Sequence, residues 1–180
     1  MNKIREYMYE LGGDIMESEE FQSSYNEVHH KATSVGNHSE EVACECLRIN
    51  KFLKHFHLKN FSDQINEKQF EKQMVQVALC HDLGMLDRVD KYSSDKECHR
   101  LHPQESLLVA KKLIPDMSID MEDAILNHMW PVTPKKPQSK MGNIITVADK
   151  ICAARDLRHI ARKQGLALAA AVVFIFMPKI

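Results

Sequence analysis

The sequence has almost no excess charge: 24 Lys and Arg side chains stand against 25 Asp and Glu, a formal net charge of −1. That excludes the strong field that draws a dedicated nucleic-acid binder or an anionic-membrane protein to its partner, so no specific nucleic-acid binding is expected. Glycine and proline are scarce, six of each in 180 residues, and sustained Val/Ile/Thr alternation is missing. Strands are therefore not expected. No apolar run reaches the roughly 20 residues that a bilayer-spanning helix needs. The stretch Gly165–Met177 (GLALAAAVVFIFM) has 13 residues and no charge, and reads as a buried helix, a homodimer contact or a membrane-surface attachment, not as a transmembrane span. Met1–Gly13 mixes charged and aromatic residues without an apolar stretch, unlike a secretory signal. The five cysteines (44, 46, 80, 98 and 152) are odd in number and lie mostly within apolar periodic stretches, so buried, reduced thiols in a cytoplasmic protein are expected.

What is present is a helical pattern. The chain is long enough for one domain with a proper core. Apolar residues recur at intervals of three and four, and the spacing predicts an all-α bundle of about seven helices. The clearest runs from His38 to about Phe56, with Val42, Cys46, Ile49 and Leu53 on one stripe. Asn37 suits its N-cap and Glu40 completes a capping box. A second covers about 67–82, carrying Phe70, Met74, Val77 and His81 inward and stopping near Gly84, a helix terminator. A third opens at His102-Pro103, with Pro103 in the first turn, and ends at Ile114. Asp120 can cap a fourth, with Met121, Ile125 and His128 on one face, broken by the loop Trp130–Gln138. Ser139 precedes a fifth, in which Ile145, Asp149 and Cys152 share a face. Asn2–Leu11 and Met16–Lys31 complete the set. The expected organisation is an N-terminal helix (1–17), a main domain (18–160) and the apolar tail (161–180).

Histidine is in excess, with ten residues. His81, His128 and Asp149 each continue an apolar stripe into a core, where an ionised carboxylate is costly unless paired or bound to a cation. His38 and His102 add imidazoles at helix ends. Imidazole and carboxylate suit first-row divalent metals, Mg and Mn, so the set His38, His81, Asp82, His102, His128 and Asp149 can hold one ion or two. Each member also has a plain structural reading. A lone histidine on an apolar face is often a hydrogen-bonded core residue, His102 can cap a helix, and Asp149 can pair locally with Lys150. His30 is a further imidazole that could lie near this set, with a plain structural role as its commoner reading.

His38, ALCHDLGMLDR around His81-Asp82, and Asp149 in ITVADK together resemble the HD superfamily of metal-dependent phosphohydrolases, whose signature is a distant His, an adjacent His-Asp and a distant Asp. The likeness covers about residues 18–157. His102 in LHPQES and His128 in LNHMWP are similar to the two extra ligands of members with binuclear centres, among them bacterial diadenosine-tetraphosphate hydrolases and cyclic-dinucleotide phosphodiesterases. The glycine-tyrosine-proline motif of the latter is absent, because HMWPVTP follows His128, and Met85 stands where many members carry a basic residue. TSVGNHSEEVA resembles a bacterial branch of HD proteins.

The resemblance implies hydrolysis of a phosphate ester or anhydride in a small nucleotide-like substrate by a metal-bound hydroxide. Asp82 would bridge the ions and, with His81, form the catalytic core. The expected cofactors are one or two divalent ions, Fe or Mn before Zn, Ni or Mg. Lys150, Arg100 and Trp130 are the candidate substrate contacts, with solvated charge and core cover as their plainer roles. The rival reading is a non-catalytic HD module that keeps the scaffold and senses a nucleotide or docks a partner.

Overall fold

The computed structural model describes residues 3–29, 33–55 and 67–163. His30, Phe56 and the apolar tail lie outside the described residues. The described residues are all-α apart from one small hairpin. Helix α1 spans Lys3–Met16 and α2 Glu19–Ser24; β1 (Val28–His29) and β2 (Thr33–Ser34) follow, then α3 (Val35–His55) and α4 (Glu67–Cys80). A 3-10 turn over Leu83–Met85 precedes the one-turn α5 (Arg88–Lys91), α6 (Asp95–Leu113), α7 (Ile119–Asn127) and α8 (Lys140–Lys163). Eight α-helices are thus seen among the described residues, against about seven expected.

Serine sets most of the helix starts. Ser18, Ser94 and Ser118 are N-caps whose hydroxyls accept from the amides of Phe21, Glu97 and Met121. Ser139 accepts likewise from Gly142 N at 2.9 Å, as expected from its place before α8. Each such cap is worth about 1 kcal/mol. Three starts differ from the sequence reading. Helix α3 begins at Val35, where Ser34 Oγ accepts from Asn37 N at 3.2 Å, so Asn37 lies in the first turn and Glu40 closes no capping box. Glu40 is instead buried, accepting from Tyr25 Oη at 2.5 Å and Arg5 at 2.6 Å. Helix α7 is capped by Ser118 and not by Asp120. Helix α6 starts seven residues before His102, because Ser94 caps it and Glu97 reaches back to Ser93 N; Pro103 therefore sits inside the helix.

The unexpected hairpin pairs Val28 with Ser34 and His29 with Thr33 in antiparallel register. Two-residue strands are too short for alternation to register in a sequence, and the expected helix Met16–Lys31 resolves into α2 followed by β1. The alternation is nevertheless there: Val28 is exposed and His29 is buried.

Helix α3 packs against both α4 and α8, α1 covers α4, and α6 lies on the 3-10 turn and α7. Met8, Ile15, Phe21, Met74, Leu79, Met121, Ile125 and Ile145 are fully buried in one cluster, so α1 belongs to the same core as the rest. Each such side chain contributes about 1.5–3 kcal/mol by leaving water. All five cysteines are buried and free, as expected. Among the described residues no helix is long and apolar enough to cross a membrane.

Gly84 has a different role from the one its position after α4 suggests. Helix α4 ends at Cys80, four residues earlier. A Cβ on Gly84 would lie 2.2 Å from His102 O and 2.5 Å from Ser106 N, both backbone atoms of α6. The Gly84 amide donates to Ser106 Oγ at 2.9 Å, and Tyr92 Oη donates to its carbonyl at 2.8 Å. The missing side chain lets the turn after His81-Asp82 lie directly on the helix that carries His102.

Candidate metal centre

Four imidazoles converge because each is held by its Nδ1. His81 follows the last residue of α4, and its Nδ1 donates to Ala78 O at 2.7 Å; His128 ends α7 and donates to Ile125 O at 2.7 Å. Each ring thereby satisfies a carbonyl of the last helical turn that has no intrahelical amide. His102, inside α6, donates from Nδ1 to Cys98 O at 2.9 Å. A carbonyl only accepts, so in all three rings Nδ1 carries a proton and Nε2 is the atom aimed inward, a ligand once it carries no proton of its own. His38, on the first turn of α3, has its Nδ1 3.4 Å from Asp156 Oδ2 on α8, the carboxylate version of the same arrangement.

The four Nε2 atoms meet two carboxylates. Asp82 Oδ1 lies 3.2 Å from His102 Nε2 and 3.4 Å from His128 Nε2, which are 3.1 Å from each other. Asp82 Oδ2 faces the other way, 3.4 Å from His81 Nε2 and 3.9 Å from His38 Nε2. Asp149 Oδ1 closes that side, 3.1 Å from His38 Nε2 and 4.0 Å from His81 Nε2. All six side chains are buried. His38, His81 and Asp82 form one group of donors suited to a metal ion, and Asp82, His102 and His128 form another. Asp82 thus stands between two clusters and turns one oxygen to each.

Two observations show that these donors fit a divalent cation. With both Nδ1 atoms committed, the Nε2 lone pairs of His102 and His128 face each other at 3.1 Å, which is repulsive unless a proton or cation relieves it. His81 Nε2 is buried with no hydrogen-bond partner. The spacing agrees as well. Donors about 2.1 Å from one ion, at angles of about 90–110°, are separated by roughly 3.0–3.4 Å. The triangle of Asp82 Oδ1, His102 Nε2 and His128 Nε2 has edges of 3.2, 3.4 and 3.1 Å.

The electrostatics follow from the same contacts. Burial disfavours the charged form of Asp82, yet His81, His102, His128 and His29 more than offset it and hold the carboxyl well below the usual range. Asp149 is lowered in the same way, with His38 and Lys150 outweighing its burial. Burial would lower His38 and His102, but the carboxylates of Asp149 and Asp156 push His38 up to about 10, and Asp82 with Cys98 O pushes His102 up to about 10. His81 is governed by burial and pushed down to about 4.

The three candidate substrate contacts fare differently. Lys150 Nζ donates to His128 O at 3.1 Å and to Asp149 Oδ2 at 3.2 Å, so the local ion pair with Asp149 is real and the lysine sits at the edge of the centre. Trp130 is half-buried two residues after His128, with Lys136 Nζ 5.7 Å from its ring centroid. Arg100 is exposed on α6.

Two residues at the centre were not legible as such. Asp156 lies seven residues after Asp149 on α8, so two helical turns put both on one face, a spacing that could have flagged it. His29 is 3% exposed, with Nε2 3.3 Å from Asp82 Oδ2 and its ring stacked on His38 at 3.9 Å between centroids. Its neighbour His30 was the candidate in the sequence, and only the hairpin register selects His29 as the inward side chain.

A sequence model of the HD domain family matches residues 35–154, a segment that contains His38, His81, Asp82, His102, His128 and Asp149 and leaves out His29 and Asp156. No curated protein and no solved structure matches the chain.

Proposed function

The chain belongs to the HD domain family, and on that premise we propose that it is a metal-dependent phosphohydrolase with a two-ion centre bridged by Asp82. The observation that carries this reading is the convergence of four Nδ1-anchored imidazoles on the two oxygens of one buried carboxylate. His38, His81, Asp82 and Asp149 would hold one ion, and Asp82, His102 and His128 the other. Fe or Mn suits a histidine-rich, carboxylate-bridged pair, ahead of Zn, Ni or Mg. Divalent ions held there would lower the pKa of water and polarise phosphoryl oxygens.

The chain's own contribution is position and charge. The Nδ1 bonds prevent the rings from turning, so the donor set is organised before any substrate arrives. Asp82 and Asp149 are kept ionised by their neighbours, which leaves both ready to accept a cation. Lys150 partly neutralises Asp149 and, bonded to it at 3.2 Å, is a cation in direct contact with the donor set. In this reading Lys150, Arg100 and Trp130 contact the substrate, a small phosphorylated or nucleotide-like molecule, with Trp130 offering a face for a base. The HD unit extends over about 18–160, and the five buried free thiols suit the cytoplasm.

The test is metal analysis of the purified protein beside a hydrolysis screen over nucleotides and model phosphodiesters under reducing conditions. Bound metal with turnover of at least one ester or anhydride is the expected result. Stoichiometric metal with no turnover on any substrate would overturn the enzyme reading and leave a sensor.

A further inference from the structure

We propose that His29 is a positioning residue of the metal centre: the hairpin before α3 delivers an imidazole that clamps Asp82 Oδ2 and backs the ring of His38. The proposal rests on the two-ion reading above. Its geometry comes from a part of the chain that the family match does not include, since the match begins at residue 35.

The imidazole of His29 makes two contacts with the centre. Nε2 lies 3.3 Å from Asp82 Oδ2, within hydrogen-bond distance, and a carboxylate oxygen can only accept, so the contact requires the proton on Nε2. The ring also lies flat on His38, centroids 3.9 Å apart and planes 25° from parallel. His29 is therefore in touch with the two residues that head both donor groups. With His38 and Asp156 it forms a third group of donor atoms, all within 4.8 Å of one another; its Nε2, directed at Asp82 Oδ2 at 3.3 Å, gives it the part of a hydrogen-bond donor to that carboxylate.

This contact solves a geometric problem. Asp82 has to turn one oxygen to each cluster, and a carboxylate rotates freely about its last torsion unless something holds it. On the Oδ1 side His102 and His128 define the position at 3.2 and 3.4 Å. On the Oδ2 side the ligand contacts are longer, 3.4 and 3.9 Å, and His29 makes the shortest contact of all at 3.3 Å. An Nε2–H donor there uses one lone pair of Oδ2 and leaves the other for an ion. The register of the hairpin, with His29 opposite Thr33 and Glu27 O accepting from Val35 N at 2.9 Å, ties this donor to the start of α3, the helix that carries His38.

Two substitutions separate the hydrogen bond from the stacking. His29→Phe keeps a flat ring against His38 and removes the donor. His29→Gln removes the ring and keeps an N–H at nearly the place of Nε2. Apparent Mn(II) affinity of the full chain is read by chelator competition, with metal content per chain read in parallel. Loss of an outer partner of a ligand typically weakens metal binding about 10–100-fold, and that loss is expected for His29→Phe. His29→Gln should recover to within about threefold of the unsubstituted protein. Circular dichroism of both variants checks that the helices persist.

Equal affinity for His29→Phe and the unsubstituted protein would overturn the clamp while leaving the metal centre intact. Equal loss in both variants would overturn it too, because the hydrogen bond would then not be the cause. If the unsubstituted protein binds no Mn(II), Fe(II) or Zn(II), the two-ion reading fails and the clamp with it, a result distinct from the other two.

Discussion

Gly84→Ala offers the sharpest test of how this centre is built. The added methyl would sit 2.2 Å from His102 O, 2.5 Å from Ser106 N and 2.9 Å from Glu105 Cβ. Two of these are backbone atoms of a 19-residue helix and cannot swing aside. Ordinary contact needs about 3.5 Å, so the 3-10 turn and α6 must separate by roughly 1 Å. Overpacking of this kind costs typically about 1–3 kcal/mol, and with two backbone clashes we expect the upper part of that range. In a chain of this size that lowers Tm by roughly 5–10 °C. The same displacement moves His102 away from Asp82, now 3.2 Å apart, and metal sites tolerate only about ±0.2 Å in their ligand distances. Metal content should therefore fall together with Tm.

Gly13→Ala is the matched control. It lies within α1, where a Cβ meets nothing within 4 Å, so the same substitution should be stabilising by about 0.5–1 kcal/mol. The assay is thermal unfolding by circular dichroism with and without chelator, and metal content by mass spectrometry. A Gly84→Ala protein that melts within 2 °C of its parent and keeps all its metal would refute the argument that this glycine is there for close packing.

Asp82→Asn, which keeps shape and removes charge, should abolish binding at both clusters, whereas His128→Ala should spare the His38–His81–Asp149 side; the comparison is metal stoichiometry, expected to be about two, none and one ion per chain. Saturating Mn(II) at about 100 times its Kd should stabilise the protein by about 2.7 kcal/mol per site, visible as a rise in Tm that chelator reverses and Asp82→Asn removes. Metal binding should also release protons. His38 and His102 are held at about 10 when no metal competes, so near pH 8 both are protonated and both must lose a proton to ligate. Calorimetry in buffers of different ionisation enthalpy should report about one proton per ion, and affinity should rise about tenfold per pH unit between pH 7 and 9; a pH-independent affinity would contradict it. The sign is opposite for the chelated protein. Its raised histidines stabilise it fully below about pH 6.5, and that contribution is lost as pH rises towards 10, so the chelated protein alone should become less stable from pH 7 to 10.

Sequence alone determined the helical class, the ends of α3 and α4 and the start of α8 to within a few residues, and six side chains that the structure brings together. It could do so because helices are local. An imidazole or carboxylate continuing an apolar stripe is visible at a spacing of three or four, and its cost in a core announces a partner. What it could not determine are the relations made across long separations. Gly84 reads as a terminator until α6, some twenty residues later, is seen lying against it. Pro103 reads as a helix start because the serine that caps α6 stands nine residues upstream. Asp149 reads equally as the partner of Lys150, and it is both that and a neighbour of His38, 111 residues away. His29 has no local signal at all, since a two-residue strand carries no periodicity and only pairing with Thr33 turns its ring inward. The types of donor were therefore written in local pattern, while their convergence on the two oxygens of Asp82 was decided by packing, because distance between helices is a property of their contacts and not of any one segment.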